Sequence, residues 1–333
     1  MAAMGWLGMG LPDACGGLAM STVDMVVLAK ELGRRICPSP FMPTVVIAAE
    51  AVARAGSEAQ KRLIADIIEG ELIIAFAYQE QSRRFDAGAI ELEARDQGGG
   101  WVLNGTKMFV EFAAAADRLL VVARTFGQAP SREGLTMFLV DAGSEGIIRE
   151  RTPTMARDHH YKVVFDGVKV PKDGLLGELG QAWSHLEPVI EKAAVVWSGF
   201  SIGVAEQMHE YANQFAKDRV QFSRPIGQMQ LIQNYLASAI IEIYGAEALA
   251  FFTAFNLDKG RRVRDYVAKT KVFCAEVVKN TTDVGSQIFG GSGYMEEQST
   301  TQYLRRGHQY KAMLGGTDYW EGIVAEELLD GPV

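Results

Sequence analysis

The stretch Gln287-Ile-Phe-Gly-Gly-Ser-Gly-Tyr294 decides the reading of this chain, together with Leu314-Gly-Gly-Thr317 after it and Arg219-Val-Gln-Phe222 and Pro225-Ile226 before it. Gly290, Gly291 and Gly293 interrupt two segments of strong helical periodicity. Glycine permits positive φ and lets a ligand approach the backbone closely. Such a break between helices points to a binding turn.

The periodicity around that stretch is helical over 182–217, 228–258, 262–288, 298–312 and 318–329. Upstream the period is two. Leu72–Tyr78, Ala89–Ala94, Trp101–Leu103, Arg118–Ala123, Leu135–Val140 and Tyr161–Val170 read as strands. Asn104-Gly105 and Asp166-Gly167 read as hairpin turns, and Asp96–Gly100 as a further break. Residues 20–70 read as helical. Ser21 or Thr22 can cap one helix, and Ser57-Glu-Ala-Gln60 has capping-box form. Gly70 ends that region. The order predicts an α+β fold: an N-terminal helical domain over 1–70, a β domain over 71–174, and a bundle of long helices over 175–333.

Composition narrows the function. The 333 residues, 48% apolar and 22% charged, suit a protein of two or three domains. A net charge of −8 with no basic block argues against nucleic-acid binding. Cys15, Cys37 and Cys274 are few and far apart, which favours a reducing cytoplasm over a disulfide framework. No uninterrupted apolar run reaches ~18 residues, so no transmembrane helix is expected. The Gly-rich start lacks a basic region and is not read as a signal peptide. The five histidines form no cluster in sequence, His159-His160 included, and no metal site is proposed.

Taken together, these motifs resemble the acyl-CoA dehydrogenases, flavoenzymes that desaturate acyl-CoA thioesters at Cα–Cβ. The resemblance extends to Gly5-Trp-Leu-Gly8, Gly16-Gly17, Leu103-Asn-Gly-x-Lys107, Ala116-Asp117 and Val164-Phe-Asp-x-Val-x-Val-Pro171. It implies an N-terminal helical domain, here lacking the family's first helix, a middle β-barrel and a C-terminal four-helix bundle. It also implies FAD bound across a subunit interface. Arg219, Gln221 and Gln287 match the diphosphate ligands, Phe222 the accompanying aromatic, Gly290 and Gly291 the open turn, and Thr317 a residue meeting FAD at the next helix start. An Arg fork suits phosphate oxygens. The plainer reading pairs Arg219 with a carboxylate.

Other positions depart from the family. Its Thr-Glu-Pro-x-x-Gly-Ser-Asp reads Gln79-Glu80-Gln81-Ser82-Arg83-Arg84-Phe85-Asp86. Phe109 can cover the isoalloxazine, but Glu111 replaces a hydroxyl near the ring and is otherwise a solvent-facing carboxylate. The family's Tyr-Glu-Gly-Thr, whose Glu is the base, reads Leu314-Gly315-Gly316-Thr317. The alternative base position falls on Ala193, and Glu191 is the candidate that remains, against a plain first-turn Glu. Restoring Glu at 315 is expected to raise activity if the flavin ring binds beside this chain's own barrel.

The resemblance therefore implies a short subunit of a hetero-oligomeric dehydrogenase acting on bulky thioesters such as steroid side chains. Such a subunit works with a base-carrying homologue, as a tetramer, with electron-transferring flavoprotein as acceptor. Two alternatives stand beside it: a homo-oligomeric dehydrogenase with a relocated base, and a non-enzymatic scaffold or regulatory homologue.

Overall fold

The computed structural model describes residues 1–82 and 85–330. Arg83 and Arg84, part of the stretch compared above, lie outside the described residues. Helices α1 (Thr22–Arg34), α2 (Glu50–Ala55), α3 (Glu58–Lys61) and α4 (Leu63–Glu69) come first. Strands β1 (Ile74–Ala77), β2 (Glu93–Asp96), β3 (Gly100–Glu111), β4 (Arg118–Arg124), β5 (Leu135–Asp141), β6 (Ile147–Arg151), β7 (His160–Pro171) and β8 (Leu175–Leu176) follow. Then come α5 (Ala182–Asp218), the two-residue strands β9 (Val220–Gln221) and β10 (Arg224–Pro225), α6 (Gln230–Asp258), α7 (Arg264–Phe289), α8 (Ser299–Ala312) and α9 (Gly316–Asp330). The expected α+β order holds, with long helices at the C-terminal end.

The chain forms two compact units. One holds residues 1–20 and 39–193, the other 21–38 and 194–333. α5 begins in the first and ends in the second.

In the first unit both sequence-predicted signals at the helices are present. The Ser57 hydroxyl accepts from Gln60 N–H while the Gln60 side chain accepts from Ser57 N–H. Gly70 takes φ 82 and stops α4. A buried π-helical segment, Phe41–Ala49, precedes α2, and Thr44 bonds both backbone groups of Ile74 at the start of the sheet.

The sheet runs β6-β7-β3-β2-β4-β5-β8, with β1 parallel on β4. The pairing among the described strands is an open path ending at β6 and β8; it does not close into the expected barrel. The two hairpin expectations are overturned. Asn104-Gly105 lies inside β3 and Asp166-Gly167 inside β7, where these strands pair with each other. Each is an irregularity in a continuous strand: the register shifts between Leu103 and Gly105, Gly167 has φ 64, and Asn104 Oδ1 accepts from Gly167 N–H at 2.8 Å. A Cβ on Gly105 would come within 2.9 Å of Leu92. Asn-Gly and Asp-Gly supply positive φ, which a bulge uses as readily as a turn. The core of the unit is Leu103, Val121, Phe138, Val163 and Phe165 with their neighbours.

In the second unit Ser21 caps α1 through a box with Asp24. Lys30 bridges Glu206 and Glu247, and Arg34 bridges Glu206 and Glu210, so α1 is tied to α5 and α6. Gly203 lets these helices touch, since a Cβ there would lie 1.9 Å from Lys30 O.

Lys271 is fully buried here and donates to Tyr310 O at 3.4 Å. Burial pushes its amine from 10.5 down to about 8. Between those values the unfolded chain binds the proton and the fold does not. Stability should therefore rise with pH across that window, by up to about 3 kcal/mol. Urea titrations at pH 7.5 and 10 should show the rise in the wild type and a smaller one in Lys271→Met. Equal rises would contradict it.

Candidate functional site

α5 ends at Asp218, and the chain turns at once into the β9–β10 hairpin. Ile226 N–H donates to Arg219 O at 2.9 Å and closes it. The tip residues Phe222 and Ser223 take φ 52 and 64, and Phe222 is 87% exposed. A bulky residue in the left-handed region needs surroundings that impose it. Those surroundings are a small core of Ala212, Ala216, Ile226 and Ile288, flanked by Phe215 and Phe289 stacked at 4.2 Å. The same core carries the end of α7. It thus seats the Arg219 hairpin and the Gln287 turn on one support, although 68 positions separate them in sequence (287 minus 219).

Arg219, Gln221, Gln287, Gly290 and Gly291 are all exposed. Among the described residues, the Arg219 guanidinium and the Gln287 amide have no hydrogen-bond or ion-pair partner; Gln221 donates to Val220 O at 2.9 Å. The reading of Arg219 as half of a carboxylate pair is therefore not met. Gly290 has φ 61 and ψ −139, and a Cβ added at Gly290 or Gly291 would meet nothing within 4 Å. Gly293 differs: its Cβ would lie 2.4 Å from Ser286 O. One glycine packs the turn and two leave its backbone open. An unpaired guanidinium, an unpaired amide and open backbone on one support fit a diphosphate.

The segment between α8 and α9 differs from a simple deletion of one side chain. Leu314, Gly315 and Gly316 have φ 52, 97 and 65 in succession. The indole of Trp320, 1% exposed, donates to Leu314 O at 2.7 Å and fixes this path. Thr317, in the first turn of α9, is half-buried. Ala193 and Ala194 are fully buried. Glu191 lies in the third turn of α5, which begins at Ala182 and runs through Pro188 without a break. It is neither a first-turn residue nor at an irregular helix start, and it stands about 200° around the helix from Ala193. Its neighbour Lys192 donates to Glu50 Oε2 at 2.8 Å and to Gly10 O at 3.3 Å.

On the sheet unit, Phe109 sits in the irregularity between Lys107 and Val110, with φ 55, half-buried, its ring edge-on to His160 at 6.4 Å. The Glu111 carboxylate is 3.7 Å from His160 Nε2, and His160 Nδ1 is 3.4 Å from Asp158. Glu111 is therefore not a simple solvent-facing carboxylate. His160 has acidic neighbours that linear spacing does not reveal, because strand pairing sets Glu111 opposite His160.

Glu80 is a buried anchor. It accepts from Lys107 Nζ at 2.7 Å and from the N–H groups of Glu91 and Leu92 at 2.8 and 3.0 Å. Lys107 is fully buried, which lowers its amine to about 8 against the opposing pull of Glu80. Asp86 caps the turn Ala87–Ala89 and pairs with Arg132 at 3.0 Å. Among the described residues of this stretch, Glu80 and Asp86 are thus both engaged in bonds within the sheet unit. Arg219, Gln221, Phe222, Gln287, Gly290 and Gly291 come together on the helical unit. Phe109 and Glu191 belong to the sheet unit.

Comparison with known proteins identifies the domains. The chain matches the N-terminal domain of acyl-CoA dehydrogenases over residues 1–71, the middle domain over 75–168 and the C-terminal domain over 187–329. It is 27% identical to a 3-(aryl)acrylate reductase of Clostridium sporogenes, covering 99% of this chain and 89% of that protein. The structure of butyryl-CoA dehydrogenase from Megasphaera elsdenii superposes with a TM-score of 0.92 at 25% identity, over 98% of this chain and 88% of that one. A steroid ACAD, Tcur3481-Tcur3483, gives 0.88 at 29% identity, over 99% and 87%. Three consecutive domain matches over nearly the whole length establish that this chain belongs to the acyl-CoA dehydrogenase family, whose members are FAD-binding oxidoreductases acting on CH–CH groups.

Proposed function

We propose that this chain is the base-lacking subunit of a hetero-oligomeric acyl-CoA dehydrogenase, supplying the adenosine-diphosphate side of a shared FAD site. One observation carries the reading: the backbone that would bear the base follows a glycine-only path at Gly315 and Gly316, while Arg219 and Gln287 remain exposed and unpaired. When bound, FAD supplies acceptance of the β-hydride of the acyl thioester. This chain's part is binding. Arg219 and Gln287 hold the diphosphate, Gln221, Phe222 and Thr317 flank it, and Gly290 and Gly291 leave the backbone accessible. Phe109 is the stacking face should a ring come to this chain's own sheet. The α-proton is removed by a carboxylate of a homologous partner.

The burial of Ala193 and the rotation of Glu191 away from it weigh against a relocated base. The substrate class is a bulky acyl-CoA, as in the steroid relative, and electron-transferring flavoprotein is the acceptor. Three unpaired cysteines suit a cytoplasmic protein. Domains at 1–70, 71–174 and 175–333 belong to the same reading. The flavin spectrum of the purified chain, with and without its base-carrying homologue, tests it. A full complement of reducible flavin in the chain alone would reject it.

α6 supports association. Its stripe Ala239, Ile243, Ala246 and Ala250 is buried. A second stripe carries Ile241, Tyr244, Phe252 and Phe255, which are 70%, 61%, 48% and 49% exposed. Phe273 and Tyr266 of α7 are also exposed, and Tyr266 packs on Phe252. A helix apolar on two faces is covered on both. We expect a tetramer, and Ile241→Glu with Phe252→Glu should shift it to smaller species in sedimentation velocity. A stable wild-type monomer at micromolar concentration would refute this.

A further inference from the structure

We propose that Thr301 is a positioning residue for nucleotide binding, acting through the Gly290–Tyr294 turn. The inference rests on reading that turn as the diphosphate site. Thr301 lies in the first turn of α8 and is 5% exposed. Its hydroxyl donates to Met295 O at 2.6 Å, with Gly293 O also within reach at 3.3 Å. A hydroxyl has one proton to give, so the two carbonyls share it. Both belong to the exit of the turn. The entrance is tied separately: Ser292 Oγ donates to Phe289 O at 2.7 Å. Between these ties Gly293 packs against Ser286 O with no room for a Cβ, whereas Gly290 and Gly291 face open space. The inward side of the turn is thus bonded at two places and tightly packed at a third, and the outward side is left for a ligand.

A turn that must present its backbone to a phosphate gains affinity from being held before the ligand arrives. Three glycines confer freedom on it, so side-chain bonds must hold it. Ser292 supplies the bond at the entrance and Thr301 of α8 the bonds at the exit. Removing the Thr301 hydroxyl frees the exit of the turn and leaves two carbonyls without that donor. It does not touch Arg219 or Gln287. The predicted signature is loss of ligand affinity with the arginine contact intact.

The test is calorimetric titration of the purified full-length chain with ADP. The wild type should bind ADP, and Arg219→Ala should weaken it. Thr301→Val should lower affinity about tenfold, the scale of one hydrogen bond, and Thr301→Ser should stay within about twofold of wild type. Wild-type affinity in Thr301→Val, with Arg219→Ala impaired, would overturn this inference alone. So would a loss shared equally by Thr301→Ser. Absence of ADP binding by the wild type, or no effect of Arg219→Ala, would overturn the diphosphate reading and this inference with it. If Thr301→Val does not fold, Thr301→Ala decides: a several-fold loss of ADP affinity supports the role of Thr301 and unchanged affinity refutes it.

Discussion

Assayed alone, this chain should reduce dye with acyl-CoA about 10²–10⁴-fold more slowly than a base-carrying member of its family, the span that general-base catalysis contributes. Gly315→Glu should not repair the defect. From sequence alone that change looks restorative, since it returns the expected residue to the expected place. The backbone argues otherwise. Gly315 has φ 97 and Gly316 φ 65, values that a Glu side chain adopts only with strain. Trp320 holds Leu314 O and so opposes relaxation of the bend. The variant should lose stability by roughly 1–3 kcal/mol and gain no activity. Robust turnover in Gly315→Glu would show that the bend is pliable and that only the side chain is missing.

Arg219→Ala should empty the nucleotide site without unfolding the protein. A charge-assisted hydrogen bond is worth roughly 1.5–3 kcal/mol, or about 10- to 150-fold in affinity at 1.4 kcal/mol per decade. Arg219 has no partner within the described residues, so its removal should cost the fold no more than about 0.5 kcal/mol, as for an ordinary surface change. Flavin content of the complex with the base-carrying homologue after gel filtration, and urea unfolding of the variant chain, separate the two effects. Unchanged flavin content would remove Arg219 from the site.

Local signals in the sequence were legible where the physics is local. The cap at Ser21 (one of two candidates), the box at Ser57, the stop at Gly70 and the long helices from α5 onward follow from periodicity and capping; the completion of the Ser21 cap by Asp24 was not foreseen. Asn104-Gly105 and Asp166-Gly167 misled because a positive-φ pair marks a bulge as well as a turn. β6 was missed: its alternating charges, Arg149-Glu150-Arg151, suit an exposed edge but give no apolar period.

For the proposed site, the residue types at 219, 221, 287, 290 and 291 stand in the sequence itself, being those that a diphosphate would call for. Their common support could not, because it needs Phe215 and Phe289 to meet. Nor could the Glu80–Lys107 pair, joined across 27 positions, or the approach of Glu111 to His160, which depends on strand register. The left-handed path at Leu314–Gly316, held by Trp320, was visible only as two adjacent glycines.

If this chain brings a diphosphate site and no base, anaerobic bleaching of flavin by acyl-CoA will show it, with the chain mixed with FAD alone and then together with its base-carrying homologue. No bleaching is expected from the chain alone. Rapid bleaching is expected from the pair, lost when the homologue's Glu is changed to Gln or when Arg219 is changed to Ala. Rapid bleaching by the chain alone, abolished in Glu191→Gln, would contradict it.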